Sequence, residues 1–327
     1  MNLYNEALTK ATLKRFFRED HESIYERYQD YLLFNNEHCL KEHDFENVFT
    51  LNSQLGNRLY FSFHFGPFLY ILYHLIKRME IDVIFIASQH SRDRVEHFIE
   101  FSKTVDLKFN ENTVIYADSY TGFRQIVEAM KSGKALFSLI DIGSGSNAID
   151  KSNNVKEIEL LQETMLVRNS LFEIAAKLKY PITQGLGYWK DGKRHIELKD
   201  IEPEQFSMAA VWKDFEKMLV QYPEQWESYH TIYKFMKPSL PGDTDHIARE
   251  QDYTFCKDRY DILKDKDNKY LFAQEYFSFF KISDRTTEII EYCETNNLTF
   301  KLDEIEELFE HNGFVTDLIK YKIIGTC

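Results

Sequence analysis

The sequence predicts an α/β fold: a mostly parallel sheet flanked by helices, followed by a small α+β module. Three observations predict it. Between Arg58 and Val220, apolar runs of strand length alternate with amphipathic runs long enough for helices, the pattern of βαβ units. Those strand-length runs are apolar almost throughout, as strands covered on both faces are. Glycine (12) and proline (6) are scarce, and Pro238, Pro241 and Gly242 cluster where a boundary is expected, near 237–243.

The elements follow in order. Residues 6–34 carry Leu13, Phe16, Phe17, Ile24, Tyr28 and Leu32 at helical spacing, with charges of both signs between them. That spacing predicts one or two amphipathic helices covering the domain. Residues 59–65 read as the first core strand. Gly66-Pro67 then opens a helix to about Met79, with Pro67 in the first turn, where a missing N–H costs nothing. Strands at 82–87, 113–117 and 135–140 alternate with helices at 93–103 and 122–130. A helix at 170–178 precedes strands at 182–189 and 195–198 around the turn Asp191-Gly192, and a helix at 209–220 closes the domain, taken as 1–237. The module, 250–327, reads as strands 260–264 and 270–275, helices 283–294 and 302–311, and a final helix or strand over 315–324. It is acidic, with ten basic and seventeen acidic residues, a net charge of −7.

Composition narrows the function classes. The chain of 327 residues is 43% hydrophobic and 28% charged, with a net charge of −13. That charge repels phosphate backbones, so nucleic acid is not an expected partner. No apolar run approaches the roughly 20 residues of a spanning helix, and residues 1–6 lack the features of a secretion signal. Cys39, Cys256, Cys293 and Cys327 form no C-x-x-C pair, which suits free thiols in a reducing compartment. A cytoplasmic protein without an integral membrane segment is expected; oligomeric state is left open.

Ligands of open α/β sheets bind beyond the carboxyl ends of the strands. The polar residues predicted there are His64, Gln89, His90, Asp118 and Asp141. His64 stands out: it ends a strand, precedes Gly66 and faces the start of a helix, whose N–H groups suit an anion or a developing oxyanion. A histidine there can take a proton near neutral pH. Gly66, Arg124, Arg168 and the loop around Gly143 and Ser144 are the candidate substrate contacts. The arginines suit phosphate or carboxylate, and the glycines admit close backbone approach. Ser144 and Ser146 lack a nucleophile-elbow context. His90, His97, Asp93 and Glu96 read as a solvated helix face, and no metal is expected.

Phe63-His64-Phe65-Gly66-Pro67 resembles the His-Phe-Gly stretch of the lysophospholipid and lipid A late acyltransferase superfamily. Three further segments are similar in order and spacing: Gly122 to Asp141, Ile174 to Leu198, and Tyr222-Pro223-Glu224-Gln225-Trp226-Glu227-Ser228-Tyr229-His230. The likeness covers about residues 10 to 235. It implies acyl transfer from a coenzyme A or acyl carrier protein thioester, a co-substrate rather than a bound cofactor, with His64 as general base. That family places an acid five positions after the histidine, and here the position is Leu69. Either a carboxylate from elsewhere replaces it (Asp141 and Glu163 are the candidates), or His64 works alone on an amine or thiol, or transfer is lost.

Tyr260 to Lys264, Tyr270 to Phe272 and Ile282 to Ile290 resemble the small winged-helix domain related to pyrroloquinoline quinone biosynthesis protein D. That resemblance implies binding of a peptide as an added strand, and with it a peptide or small-molecule acceptor in natural-product biosynthesis. The alternative is a catalytically degenerate acyltransferase fold serving as a peptide-binding scaffold for a partner enzyme. A thioesterase reusing the same pocket is a third class.

Overall fold

The computed structural model describes residues 2–41, 45–141, 155–237, 251–266, 268–309 and 312–326. The helices are α1 (Leu3–Phe17), α2 (His21–His38), α3 (Phe68–Lys77), α4 (Arg92–Thr104), α5 (Gly122–Lys131), α6 (Ser170–Lys177), α7 (Met208–Gln221), α8 (Tyr229–Ile232), α9 (Asp284–Thr295), α10 (Leu302–Phe309) and α11 (Asn312–Lys320). The strands are β1 (Asn47–Asn52), β2 (Leu59–Ser62), β3 (Val83–Ala87), β4 (Val114–Tyr116), β5 (Ala135–Leu139), β6 (Val155–Leu160), β7 (Glu163–Arg168), β8 (Ile182–Lys190), β9 (Lys193–Ile201), β10 (Tyr253–Phe255), β11 (Tyr260–Asp265), β12 (Asn268–Ala273), β13 (Ser278–Ile282) and β14 (Ile324–Thr326).

Two compact units form: Phe16–Lys237, and a smaller one of Met1–Arg15 with Pro238–Cys327. In the larger unit a seven-stranded sheet runs β1-β9-β8-β2-β5-β3-β4. Every neighbouring pair is parallel except the hairpin β8–β9. The mostly parallel α/β sheet expected from the sequence is therefore present. All four residues of β2 are buried, as a central parallel strand requires.

Alternation along the strands feeds two cores. Tyr60, Val83, Phe85, Ala135 and Phe137 pack with Ile71, Leu72 and Leu75 of α3 and with Val95 and Phe98 of α4. On the other face, Phe61 meets Phe172 of α6 edge-on at 5.0 Å, and Phe63 stacks on Phe215 of α7 at 4.0 Å. One added antiparallel hairpin, β6–β7, falls outside the sheet.

The smaller unit holds the antiparallel sheet β11-β12-β13, the pair β10–β14 and helices α9 to α11 around a core that includes Leu271, Ile290, Ile305, Val315 and Ile323. The expected boundary shifts at the other end of the chain. Residues 6–34 do form two helices, but Met1–Arg15 belong with the smaller unit. The physical reason is aromatic: the Tyr4 ring meets Tyr270 at 5.4 Å and Phe279 at 5.2 Å, and Lys14 Nζ donates to Gln274 Oε1 at 2.9 Å. Among the described residues, no helix is long and apolar enough to cross a membrane.

Candidate active site

Strand register brings the two central residues together. In the parallel β2–β5 pair, Leu59 faces Leu136 and Ser62 faces Leu139. Ile140 N–H continues the ladder to Ser62 O at 3.0 Å. Continued by two residues, the same offset sets Asp141 beside His64. His64 Nδ1 lies 2.8 Å from Asp141 Oδ1, and the His64 backbone N–H donates to both carboxylate oxygens at 3.1 and 3.0 Å. Trp226 Nε1–H at 2.7 Å and Ser228 Oγ–H at 2.8 Å donate to Oδ2. The Asp141 side chain has no exposure at all, whereas His64 keeps 13%.

Burial pushes the Asp141 carboxyl up, and the imidazole charge with the bonds from His64, Trp226 and Ser228 outweighs it, so the net effect is a lowered pKa. An ionised carboxylate only accepts hydrogen bonds. In the neutral ring Nδ1 therefore carries the proton and Nε2 keeps its lone pair.

The turn after His64 is held by backbone geometry and by α2. Gly66 has φ +58°, and a Cβ there would sit 2.1 Å from Gly187 O, so only glycine fits. Its N–H donates to Gln225 O at 2.9 Å, and its carbonyl accepts from Tyr31 Oη at 3.0 Å. Asn35 Nδ2 donates to Glu227 Oε1 at 2.9 Å. Burial raises the Glu227 carboxyl above the usual range, with His64, Arg94 and Asn35 pulling it back. Gln225 pairs through its side chain with both the N–H and the C=O of Trp189, at 2.8 and 2.7 Å. The Pro223–Trp226 segment is thus bolted to the end of β8 and delivers Trp226 to Asp141.

His64 lines a cavity of about 800 Å³ at the carboxyl ends of β2, β3 and β5. Its buried part is apolar, with Phe85, Val95, Phe98, Ile126 and Phe172. Its polar lining includes Arg94, Arg168, Lys234, His90 and His230, and no carboxylate among the described residues. Arg94 and Lys234 are exposed, so charge sits at the rim. Burial and nearby Arg94 lower the His230 pKa to about 4. Leu69, where the resembling family carries its acid, also lines the cavity.

The other predicted site residues fall out as follows. Arg168 lines the cavity. Arg124 does not: its Nε pairs with Glu128 at 3.3 Å on an exposed face of α5, because the helix turns that side chain away from the strand ends. Glu163 begins β7 opposite Leu160 in the separate hairpin and is not part of the lining. Gly66 acts through its backbone, as its N–H is already engaged. Gly143 and Ser144 lie outside the described residues. Trp226 and Ser228 bind Asp141 and Arg94, His230 and Lys234 line the cavity without a pattern in the sequence that marks them as site residues; the only sequence signal for the first two is their place in the Tyr222–His230 stretch around Pro-Glu-Gln-Trp. No family model matches the chain, and no curated protein matches it, so its likeness to the acyltransferase superfamily rests on the residues quoted above.

Proposed function

We propose that the larger unit is an acyltransferase that moves an acyl group from a coenzyme A or carrier-protein thioester to a peptide or small-molecule acceptor. The observation that carries this reading is the His64–Asp141 pair at the edge of an apolar cavity with a cationic rim. The acyl chain enters among Phe85, Phe98, Ile126 and Phe172, each buried methylene being worth about 0.8 kcal/mol. Arg94, Arg168 and Lys234 line the same cavity and would hold donor phosphates.

His64 Nε2 takes the proton of the acceptor X–H as X attacks the thioester carbonyl. The tetrahedral oxyanion collapses, the C–S bond breaks, and the imidazolium returns that proton to the leaving thiolate. Asp141 keeps the ring in the required tautomer and stabilises its charged form, as in histidine–carboxylate pairs generally. Phe68 and Leu69 begin α3, so their amides lack intrahelical acceptors by geometry. Both residues line the cavity, a place suited to the oxyanion. A pure scaffold would need no ionised carboxylate behind a cavity-facing imidazole. In the smaller unit, β11 and β13 are the edges of a three-stranded sheet and would receive a peptide acceptor as an added strand.

The test is thiol release from a panel of acyl thioesters with candidate acceptors. Native protein should turn over, and His64→Ala should lose about 10³-fold or more. Turnover that is absent, or unchanged by His64→Ala, overturns the proposal.

A further inference from the structure

We infer that Trp226 and Ser228 are positioning residues of the dyad, holding Asp141 in the one orientation that aims His64 Nε2 into the cavity. Its rate consequences rest on the acyl-transfer reading; its geometric part does not.

A carboxylate offers about four lone-pair sites. Asp141 Oδ1 is occupied by the imidazole Nδ1–H, and the His64 amide spans both oxygens. Beyond the His64 amide, Oδ2 faces the buried interior, where the Asp141 side chain has no exposure. Trp226 and Ser228 fill it. Both are wholly buried, and Trp226 is itself wedged. Its neighbour Phe65 bridges to it, Phe16 stacks on it at 6.3 Å, and Tyr229 and Phe215 meet it edge-on at 5.0 and 5.4 Å. The acid here stands at a strand end rather than on the helix that carries Leu69, so the loop after α7 must supply the donors that its burial demands. The titratable groups that interact with the pair are Glu227 and His230, from that loop and α8; Arg94 of α4 acts on both of these, and Lys234 on His230.

Removing one donor leaves the carboxylate charge less satisfied. The dyad then binds its proton more tightly, and the acid limb of the rate profile moves to higher pH. Ser228→Ala should therefore lower kcat/KM roughly 10- to 100-fold, mostly in kcat, the loss expected for one charge-assisted hydrogen bond. The acid limb should rise by roughly half a unit or more. Ser228→Thr, which keeps a hydroxyl, should restore both, and Trp226→Phe should act like Ser228→Ala.

Nitrogen-15 NMR of the histidine rings gives a readout independent of turnover: the His64 Nδ1–H resonance should move in Ser228→Ala and return in Ser228→Thr. If native protein turns over no thioester yet this resonance moves as stated, acyl transfer fails and the positioning role stands. If Ser228→Ala lowers the rate with both the limb and the resonance unmoved, its role is structural and the inference is overturned. If rate, limb and resonance all stay at native values, it is overturned as well. Should Trp226→Phe not fold, the serine pair decides alone.

Discussion

Asp141 and His230 both lose stability in acid, but over different pH windows. The Asp141 carboxyl titrates below its ordinary range in the folded chain, so its contribution to stability is present above the unfolded value, about 3.9, and is lost as pH falls through the lower folded one. His230 titrates at about 4 instead of 6.5. The unfolded chain therefore binds its proton first, and stability declines as pH falls from 6.5 to 4, by on the order of 3 kcal/mol. Thermal unfolding across pH should show a decline that begins near 6.5, well above the acid step of the carboxylates. His230→Gln should remove that first decline; an unchanged profile would contradict the assignment. At this scale His64 is legible in the sequence because it ends a core strand just before the Gly66-Pro67 turn and stands in the His-Phe-Gly stretch that carries the resemblance. Asp141 is legible as the end of a parallel neighbour strand. Trp226 and Ser228 are not, because their partner lies about 85 residues away and no local pattern encodes that contact.

Among the elements, the strand–turn–helix unit of β2, Gly66 and α3 depends on the Pro223–Trp226 segment for its rigidity. Gln225→Ala removes two hydrogen bonds to the Trp189 backbone and leaves buried groups unsatisfied, at about 2–4 kcal/mol. It should lower the unfolding midpoint and also weaken turnover, because Trp226 is the next residue. Stability within about 0.5 kcal/mol of native would refute the bolted-segment account. The core βαβ elements are legible because their apolar runs and helical periodicity are local properties. Hairpin β6–β7 is not: Lys156, Glu157 and Glu159 interrupt Val155, Ile158 and Leu160, a spacing that fits neither period. Strand β1 is also hidden, because its one neighbour, β9, lies far along the chain and strand propensity at an edge is mostly context.

Across the whole molecule, charge sets a contrast. The chain carries −13, yet Arg94, Arg168 and Lys234 line a cavity whose described lining includes no carboxylate. Screening acts on both fields, with a Debye length of about 10 Å at 0.1 M salt. If the local cations dominate, the KM for a coenzyme A thioester should rise severalfold between roughly 0.05 and 0.5 M salt, while a thioester lacking phosphates changes little. A KM that falls with salt would mean that the overall negative field governs binding. The division of the chain is legible in part. The Pro/Gly cluster marks the boundary after Lys237, but helical periodicity alone cannot tell which unit the first helix joins, since Tyr4 finds its partners at Tyr270 and Phe279.

The central claim is that Asp141, in place of an acid at position 69, makes His64 a working base. The most direct measurement is single-turnover thioester cleavage by native protein and by Asp141→Asn, with unfolding midpoints recorded alongside. A folded variant slowed about 10³- to 10⁴-fold, the loss seen when a histidine loses its orienting acid, is the result predicted here. A folded Asp141→Asn variant that cleaves thioesters at the native rate would contradict it.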